Sequence, residues 1–223
     1  MNDMLNTFFD REIDLSVKDV GEISRQDCEP FIMNIHYAKR WPSISYSYGL
    51  FVGNELCGIV TYGSPPTNNV RCGLAGDKYK NNVLELNRLC LLYNRKNEAS
   101  FLVGRSLKML PKKRIIISYS DTSQEHIGYV YQATNFLYCG LSEKRTDWVI
   151  KGKEHLHSQT IADEFRGVDN RVQAIKDKYG DDFYLKDRPL KHRYVYIIGD
   201  KKFKKEIRKE LRYDIKPYPK LNS

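Results

Sequence analysis

Two places in this sequence carry residue types that can move a proton. His36 is followed by the phenol of Tyr37, and Asp121 stands after the apolar run 115–117 and three polar residues. An imidazole titrates near neutral pH, and a carboxylate in a cleft can accept a proton from a weak acid. The residue types predict acid–base chemistry, with the alternative that His36 is an ordinary surface residue after a helix.

The stretch around Asp121 predicts a strand, a short loop and a helix. Three consecutive isoleucines at 115–117 indicate a strand buried on both faces. Thr122 and Glu125 have the spacing of a capping box, so a helix should begin near Ser123. Ligands in open α/β sheets bind beyond the carboxyl ends of strands, where Asp121 falls. Its charge would also stabilise the start of that helix, and the pattern leaves both roles open.

The other candidate residues require elements that hold them near one site. A helix starting near Ser24 or Asp27 should end at His36, and Pro42 should keep the following segment, with Arg40 and Trp41, extended. Residues 46–62 predict a hairpin about a two-residue turn, and residues 63–82 predict a long loop. The run 83–92 predicts a strand, with Glu85, Asn87, Leu89 and Leu91 on one face and Leu84, Leu86, Arg88 and Cys90 on the other.

The order of elements predicts an α/β fold with a mixed central sheet and flanking helices. A first domain at 1–150 should precede a basic region at 151–223. Further predicted elements are a strand near 13–17, a helix at 98–110, strands at 136–140, 146–150 and 191–198, and helices at 157–165, 170–179 and 201–211.

Composition excludes several classes of protein. We find neither an apolar run long enough to span a bilayer nor a signal peptide, which predicts a cytoplasmic protein. Five scattered cysteines without a CxxC pair indicate buried thiols rather than a disulfide framework or a zinc site. The GxSxG, GxxxxGK[ST] and GxGxxG motifs of hydrolases, nucleoside triphosphatases and dinucleotide-binding enzymes are absent.

The net charge of +9 is concentrated in the last third of the chain. Residues 144–223 hold 21 Lys plus Arg against 13 Asp plus Glu, a balance of +8, whereas residues 1–143 hold 16 against 15. Such a basic region indicates a surface that meets a polyanion, although a solvated basic face is the alternative. The residues predicted to contact a nucleic acid are Lys191, His192, Arg193, Lys201, Lys202, Lys204 and Lys205.

Three groups of residues resemble the Mom family of phage DNA-modification proteins. They are His36-Tyr37 with Arg40-Trp41, the run 84–89 (LELNRL), and Ser118-Tyr-Ser-Asp121 with residues 126–136. The resemblance runs from about residue 30 to residue 150 and continues, less specifically, to the carboxyl end.

The resemblance implies a variant of the GNAT acyltransferase fold that adds a carbamoylmethyl-type group to N6 of adenine in phage DNA and so blocks host restriction. It places the protein in the cytoplasm of the infected bacterium. It implies catalytic roles for His36, Tyr37 and Asp121. The implied substrate-binding residues are Arg40, Trp41, Glu85, Asn87, Arg88, Ser118 and Tyr119.

The group donor is less well defined than the DNA partner. GNAT enzymes hold the pyrophosphate of coenzyme A with a [QR]xxGx[GA] loop, and residues 94–104 depart from that pattern. Arg95 and Lys96 could still bind phosphates near a helix N-terminus, so an acyl-CoA donor is the expectation. The sequence has no recognisable metal-ligand motif. Two rival functions stay open: an acyltransferase for a small molecule or protein, and a non-catalytic nucleic-acid-binding protein.

Overall fold

The computed structural model describes residues 18–124, 126–156 and 158–220. They divide into a larger unit, residues 18–120, 127–140 and 192–220, and a smaller unit, residues 121–126 and 141–191. This division differs from the predicted boundary at residue 150. The carboxyl-terminal residues fold with the first part of the chain because their strand pairs inside its sheet.

Within the described residues, seven strands form one mixed sheet in the order β1-β2-β3-β4-β5-β9-β6. Neighbours from β1 to β4 are antiparallel, and β4 pairs with β5 in parallel. This confirms the predicted mixed α/β sheet and the hairpin. The strands of this sheet are β1 Lys18–Glu22, β2 Tyr46–Val52, β3 Glu55–Gly63, β4 Val83–Leu91, β5 Arg114–Asp121, β6 Leu137–Leu141 and β9 Lys191–Ile198. Strands β7 Thr146–Ile150 and β8 Phe183–Asp187 form a second sheet.

Helices cover both faces of this sheet. The helices of the larger unit are α1 Arg25–Pro30, continued by a π-helical turn at Phe31–Ile35, α2 Asn68–Ala75, α3 Glu98–Met109, α4 Tyr129–Ala133 and α7 Lys201–Glu210. Helices α5 Ser158–Asp163 and α6 Arg171–Tyr179 belong to the smaller unit. Residues of α3 and α4 pack on Leu84 and Leu86 of β4. On the opposite face, α7 packs on Val83 of β4 and α1 packs on Cys90. Burial of apolar side chains on both faces stabilises the sheet.

The predicted long loop at 63–82 is wrong from residue 68 onward. Residues Asn68–Ala75 form α2, and a 3-10 turn follows at Asp77–Asn82. The Thr67 hydroxyl accepts a hydrogen bond from the Val70 N–H and caps the helix. Leu74 is fully buried in the core under α7, so tertiary packing overrides the low helix propensity of this Gly- and Asn-rich segment.

The helix predicted to begin near Ser123 starts later. Residues Thr122–Gln124 form a 3-10 turn, and α4 begins at Tyr129 after Gly128, whose φ of 78° favours glycine. Instead of forming a helix cap, the Thr122 hydroxyl donates a hydrogen bond to the Leu190 carbonyl oxygen at 2.7 Å. Glu125, the other half of the predicted capping box, lies outside the described residues, as do His157 and the strand predicted at 13–17.

A β-bulge in β4 overturns the predicted alternation of that strand. Thr61 pairs with Arg88 and Tyr62 pairs with Leu86, so Asn87 is an extra residue. The side chains beyond it change faces: Leu89 and Leu91 pack in the same cluster as Leu84 and Leu86, while Cys90 packs under α1. Arg88 therefore shares a face with Glu85, not with Leu86.

The smaller unit has its own core. Strands β7 and β8 pair in an antiparallel sheet, and Ile150, Ile161, Phe165 and Ile175 are buried between this sheet and helices α5 and α6. The two helices confirm the prediction, but β8 was not predicted because its side chains are mostly exposed and lack an apolar alternation.

Two composition-based expectations can be compared with the structure. All five cysteines are free, and all but Cys72 are buried, as expected for thiols of the core. Within the described parts of the chain, no helix is long and apolar enough to cross a membrane.

Candidate active site

The bulge in β4 creates a polar band between two apolar clusters on one face of the sheet. Val83 belongs to the core under α7, and Cys90 to the core under α1. Glu85 and Arg88 lie between them and interact electrostatically. Polar side chains in the middle of a sheet face require a partner or a cleft, and the His36 segment lies beside them.

Arg88 joins the bulge to the loop after His36. Its Nη1 donates a hydrogen bond to the Asn87 carbonyl oxygen at 2.6 Å, and its Nη2 donates to the Arg40 carbonyl oxygen at 2.6 Å. The Nε is buried and has no hydrogen-bond partner among the described residues. Partial burial lowers the pKa of Arg88, while the neighbouring Tyr37 and Glu85 favour its charged form. Arg88 thus supplies a positive charge at a fixed position.

His36 is held neutral and in one tautomer. Its Nδ1 accepts a hydrogen bond from the Ala38 backbone N–H at 3.1 Å, so the ring proton resides on Nε2. Burial, with the positive charge of Arg88, lowers the pKa of His36 from 6.5 to about 4. The ring stacks on Tyr37 with centroids 4.5 Å apart. In this arrangement His36 offers an N–H donor through Nε2 rather than a basic nitrogen.

The lowered pKa of His36 predicts a loss of stability in mild acid. Between pH 6.5 and about 4 the unfolded chain takes up a proton at His36 that the folded protein does not. The free energy of unfolding should therefore fall as the pH drops through this window, and be unaffected by His36 above it. Denaturant titrations at pH 7 and pH 5 should show a smaller fall for His36→Gln than for the unmodified protein. Equal falls would contradict the assignment of a depressed pKa.

Aromatic side chains beside His36 are open to solvent. Tyr37 is 64% exposed and Trp41 is 44% exposed, although both are large and apolar. Tyr37 also interacts electrostatically with Arg88 and Tyr131, so its phenol lies at the edge of the polar band. Exposed rings next to a charged cluster are suited to stacking on a planar ligand.

Tyr131 is a site residue that sequence reasoning did not assign. It is buried on α4, forms a hydrogen bond with Ser118, and interacts electrostatically with Tyr37 and Glu85. Burial, the largest effect, raises its pKa to about 12, so the phenol keeps its proton at neutral pH. The sequence includes Tyr131 only in the run 126–136 that carries the family resemblance, and nothing local marks its hydroxyl as special.

Ser118, predicted to bind substrate, is fully buried instead. Its hydroxyl donates to the Leu86 carbonyl oxygen at 3.0 Å, just past the three residue pairs that join β4 to β5. Ser118 therefore links the two strands and orients Tyr131, so its predicted direct contact with substrate is corrected to a supporting one.

Asn87 has a structural role, and its predicted contact with substrate stays a prediction. Its side-chain oxygen accepts a hydrogen bond from the buried Thr61 hydroxyl at 2.6 Å, and its nitrogen donates to the Ser43 carbonyl oxygen at 2.7 Å. A Cβ on Gly63 would lie 1.8 Å from that same oxygen, so only glycine permits this close approach. Together these residues hold the loop that follows Trp41 against the sheet.

We therefore expect Asn87→Ala to destabilise the fold by roughly 1–3 kcal/mol, because the fully buried Thr61 hydroxyl loses its acceptor. Chemical denaturation measures this change, and Asn69→Ala in the exposed first turn of α2 is the matched control. An unchanged denaturation midpoint for Asn87→Ala would instead favour the direct contact with substrate.

Asp121 ends β5, as predicted, and both of its oxygens are engaged. Oδ1 accepts hydrogen bonds from the Ser123 backbone N–H at 3.0 Å and from the Ser123 hydroxyl at 2.7 Å, and Oδ2 lies 3.2 Å from the Lys191 ammonium. Partial burial raises its pKa, but the Ser123 hydrogen bonds and the Lys191 charge outweigh it, so the pKa is below the usual value. Asp121 thus caps a turn while remaining a carboxylate that is 15% exposed.

Arg193 is not available as the DNA contact we predicted. It is only 7% exposed, its guanidinium lies 3.8 Å from the centre of the Tyr213 ring, and Nη1 donates to the Cys139 carbonyl oxygen. It also forms a hydrogen bond with Tyr119, whose pKa burial raises to about 12. The position of β9 inside the sheet, between β5 and β6, buries this side chain.

The neighbouring predicted DNA contacts are engaged as well. His192 lies with its Nδ1 2.9 Å from the Tyr138 hydroxyl, and partial burial lowers its pKa. Lys191 is the ion-pair partner of Asp121. The three residues at the start of β9 thus have structural partners, which sequence alone could not reveal.

The predicted phosphate ligands differ in accessibility. Lys96 is exposed, whereas Arg95 stacks on the Tyr93 ring at 4.5 Å and lies 3.8 Å from the carboxylate of the buried Glu98. An open groove of about 460 Å³ lies alongside, between α3 and the end of α4. Its lining includes Asn97, Phe101, Arg105, Lys108 and Tyr196. Among the residues that the structure describes, none of the His, Cys, Asp and Glu side chains cluster as metal ligands would.

Helix α7 presents most of the remaining predicted DNA contacts on one face. Phe203 and Ile207, which are four residues apart on one side of the helix, are buried against the sheet. Lys202 instead lies beside Glu206, away from this face. An open groove of about 390 Å³ runs along the exposed face, lined by Lys201, Lys204, Lys205, Arg208 and Lys209, which we call the basic stripe.

Comparison with solved structures returns acetyltransferases at low similarity. A GNAT-family acetyltransferase from Bacillus cereus is 14% identical, with a TM-score of 0.42 over 82% of this chain and 99% of that one. Arabidopsis thaliana NAA60, in complex with acetyl-CoA, is 15% identical, with a TM-score of 0.47 over 81% of this chain and 99% of that one. Likeness at this level assigns neither substrate nor cofactor.

Comparison of sequences is more specific. The methylcarbamoylase Mom of Escherichia phage Mu is 28% identical over 204 residues, which cover 85% of this chain and 78% of that protein. The model of the Mom protein family matches residues 18–220. This range contains His36, Arg88, Asp121 and the basic stripe. The chain belongs to the Mom protein family.

Proposed function

We propose that this protein is a transferase that adds an acyl or carbamoylmethyl-type group to N6 of adenine in phage DNA and so protects that DNA from host restriction enzymes. The observation that carries the proposal is the family match over residues 18–220, which spans the whole polar band around His36 and Arg88. The relative from phage Mu is named a methylcarbamoylase, which agrees with a group transfer of this class.

The reaction needs a proton acceptor. N6 of adenine is conjugated with its ring and is a poor nucleophile, so its proton must leave as the bond to the incoming group forms. Two carboxylates are candidates for this role. Asp121 is the one we assign, and Glu85, beside Arg88 and Tyr131, is the competitor. The ion pair of Asp121 with Lys191 keeps it ionised and ready to accept, at the cost of lower basicity.

The neutral His36 and the charged Arg88 suit electrostatic stabilisation. His36 offers its Nε2–H, and Arg88 offers the buried Nε that lacks a partner among the described residues. Hydrogen-bond donors whose positions are fixed before the reaction stabilise the negative charge that develops, during transfer, on the molecule that gives up the group. In this proposal His36 therefore acts as a hydrogen-bond donor and not as the base.

The exposed rings suit a base that has left the double helix. An adenine inside a duplex is unreachable for an enzyme, and extruding it costs a few kcal/mol. Stacking on Tyr37 or Trp41, which are 64% and 44% exposed, offsets part of this cost. Contacts between the basic stripe and DNA phosphates supply the sequence-independent part of the affinity.

For transfer of an acyl group we propose an acyl-CoA donor: the bond between N6 and the acyl carbon would form as the thioester C–S bond breaks, and coenzyme A would leave as its thiol with the proton taken from N6. Lys96 is exposed just before α3, and Arg105 and Lys108 in the second half of α3 line the groove, so both places provide positive charge. A helix N-terminus favours anions in addition. Arg95 is a poorer candidate than the sequence suggested, because it already faces the carboxylate of Glu98.

Nucleoside mass spectrometry of DNA from cells that express the protein tests this function. We expect a modified deoxyadenosine that is absent from cells with the empty vector. A protein that only binds DNA would leave all adenine unmodified. An acyltransferase for a small molecule would likewise leave adenine unmodified, and it would not shift plain duplex DNA in a gel. The gel shift therefore distinguishes it from a protein that only binds DNA.

A further inference from the structure

The segment from Met33 to Trp41 exposes an unusual amount of apolar surface. Met33 is 39% exposed, Ile35 44%, Tyr37 64% and Trp41 44%. All four belong to a stretch of nine residues that also contains His36, and Tyr37 and Trp41 already have a proposed role. Met33 and Ile35 have none, and leaving large apolar side chains in water is unfavourable unless a partner covers them.

This segment is firmly held by the larger unit. Phe31 and Ile32, at the start of the π-helical turn, are 6% and 0% exposed in the core under α1. The His36 backbone N–H donates to the Phe31 carbonyl oxygen at 2.8 Å, and Arg88 Nη2 donates to the Arg40 carbonyl oxygen. The backbone is therefore fixed at both ends, and Met33 and Ile35 project from a rigid support.

The charges around this apolar surface favour one kind of partner. Lys39 and Arg40 are exposed within the same segment, and Arg88 lies beside it. A partner that contacts both the apolar side chains and these positive charges must carry negative charge on its outside and apolar surface within. Duplex DNA has phosphates along its backbone and stacked bases within, and proteins insert side chains such as Met and Ile between its base steps.

We propose that Met33 and Ile35 form a wedge that enters the DNA base stack where the target adenine leaves it. The wedge occupies the space vacated by the base, while Lys39 and Arg40 contact the flanking phosphates. This inference rests on the proposed function, because the wedge serves the same site. It adds that the exposed end of the π-helical turn acts on base flipping and not on group transfer.

The test compares paired and unpaired adenine as substrates. The double variant Met33→Ser/Ile35→Ser should modify duplex DNA about 10- to 100-fold more slowly than the unchanged protein, because the extruded base is no longer held out. The same strand with its target adenine opposite an abasic site needs no extrusion, so its rate should change by less than about threefold. Met109→Ser is the matched control, since Met109 is 40% exposed at the end of α3, and it should leave both rates unchanged.

A second readout does not depend on the adduct. With 2-aminopurine in place of the target adenine, binding of the unchanged protein should raise the fluorescence as the base unstacks, and the double variant should not. Equal loss of rate on both substrates, or an undiminished fluorescence rise, would overturn the wedge. A change in oligomeric state of the double variant would show that this surface meets a second copy of the chain instead. If the unchanged protein modifies neither substrate but raises the fluorescence, and the double variant does not raise it, the proposed function fails and the wedge stands.

Discussion

Replacing Asp121 by asparagine should abolish adenine modification and leave folding and DNA binding nearly intact. Asparagine keeps an oxygen that can accept the two hydrogen bonds from Ser123, but it loses the negative charge and cannot take up a proton. The ion pair with Lys191 is partly open to solvent, with side chains 15% and 37% exposed. Its loss should cost at most about 1 kcal/mol. Nucleoside mass spectrometry measures the modification, and thermal unfolding measures the stability.

A control separates the lost charge from the lost ion pair. Lys191→Met breaks the same pair but keeps the carboxylate, and without the nearby ammonium the pKa of Asp121 should rise toward its usual range. This variant should retain modification if Asp121 accepts the proton. If Asp121→Asn stays active and Glu85→Gln does not, the proton acceptor is Glu85 and our assignment is wrong.

The pairing of Asp121 also has a defined effect on stability. Because the folded pKa lies below the ordinary value of about 3.9, the ionised carboxylate contributes stability above that value. This contribution is lost as the pH falls through the lower folded pKa. Asp121→Asn should therefore flatten the acid limb of the stability curve, a readout independent of catalysis.

Reversing the charges of Lys204, Lys205 and Arg208 to glutamate should produce the other large effect. Each phosphate contact contributes a slope of about −0.9 to the dependence of log K on log salt, so losing three should reduce the slope by about 2.7. At 0.1 M salt the affinity for duplex DNA should fall on the order of 10²- to 10³-fold. Fluorescence anisotropy at several salt concentrations measures both quantities. The fold should survive, because Phe203 and Ile207 anchor α7 and are unchanged.

The matched control places the same charge change elsewhere. Lys151, Arg171 and Lys176 are exposed residues outside α7, and their reversal to glutamate alters the net charge equally. This control should change DNA affinity far less, because none of these three residues is proposed to contact phosphates. Equal effects of both triple variants would indicate that overall charge, and not the stripe, determines binding.

The start of β9 shows why the basic region could not be interpreted residue by residue. Lys191 and Arg193 carry the charge expected of a DNA contact, and the sequence predicts their strand correctly. The strand is inserted between β5 and β6, which buries Arg193 against Tyr213 and pairs Lys191 with Asp121. The sequence shows that a side chain is charged, but it does not show whether a distant residue already pairs with that charge.

The polar strand β4 shows the same limit within one element. Its existence and length follow from a local apolar pattern. The bulge at Asn87 depends instead on Thr61 and Ser43, which lie 26 and 44 residues away in the chain. Without the bulge, the alternation places Arg88 on the face opposite Glu85. With the bulge, Glu85 and Arg88 both face the His36 segment and form the polar band.

The sequence by itself determined most of the strands and helices and the residue types at 36, 85, 88 and 121, because periodicity and chemistry are local properties of the chain. Only the tertiary structure decided that the ring proton of His36 resides on Nε2, that Tyr131 joins the site, and that Asp121 is ion-paired. Protonation and partners depend on burial and on contacts that the fold brings together. A linear pattern does not contain them.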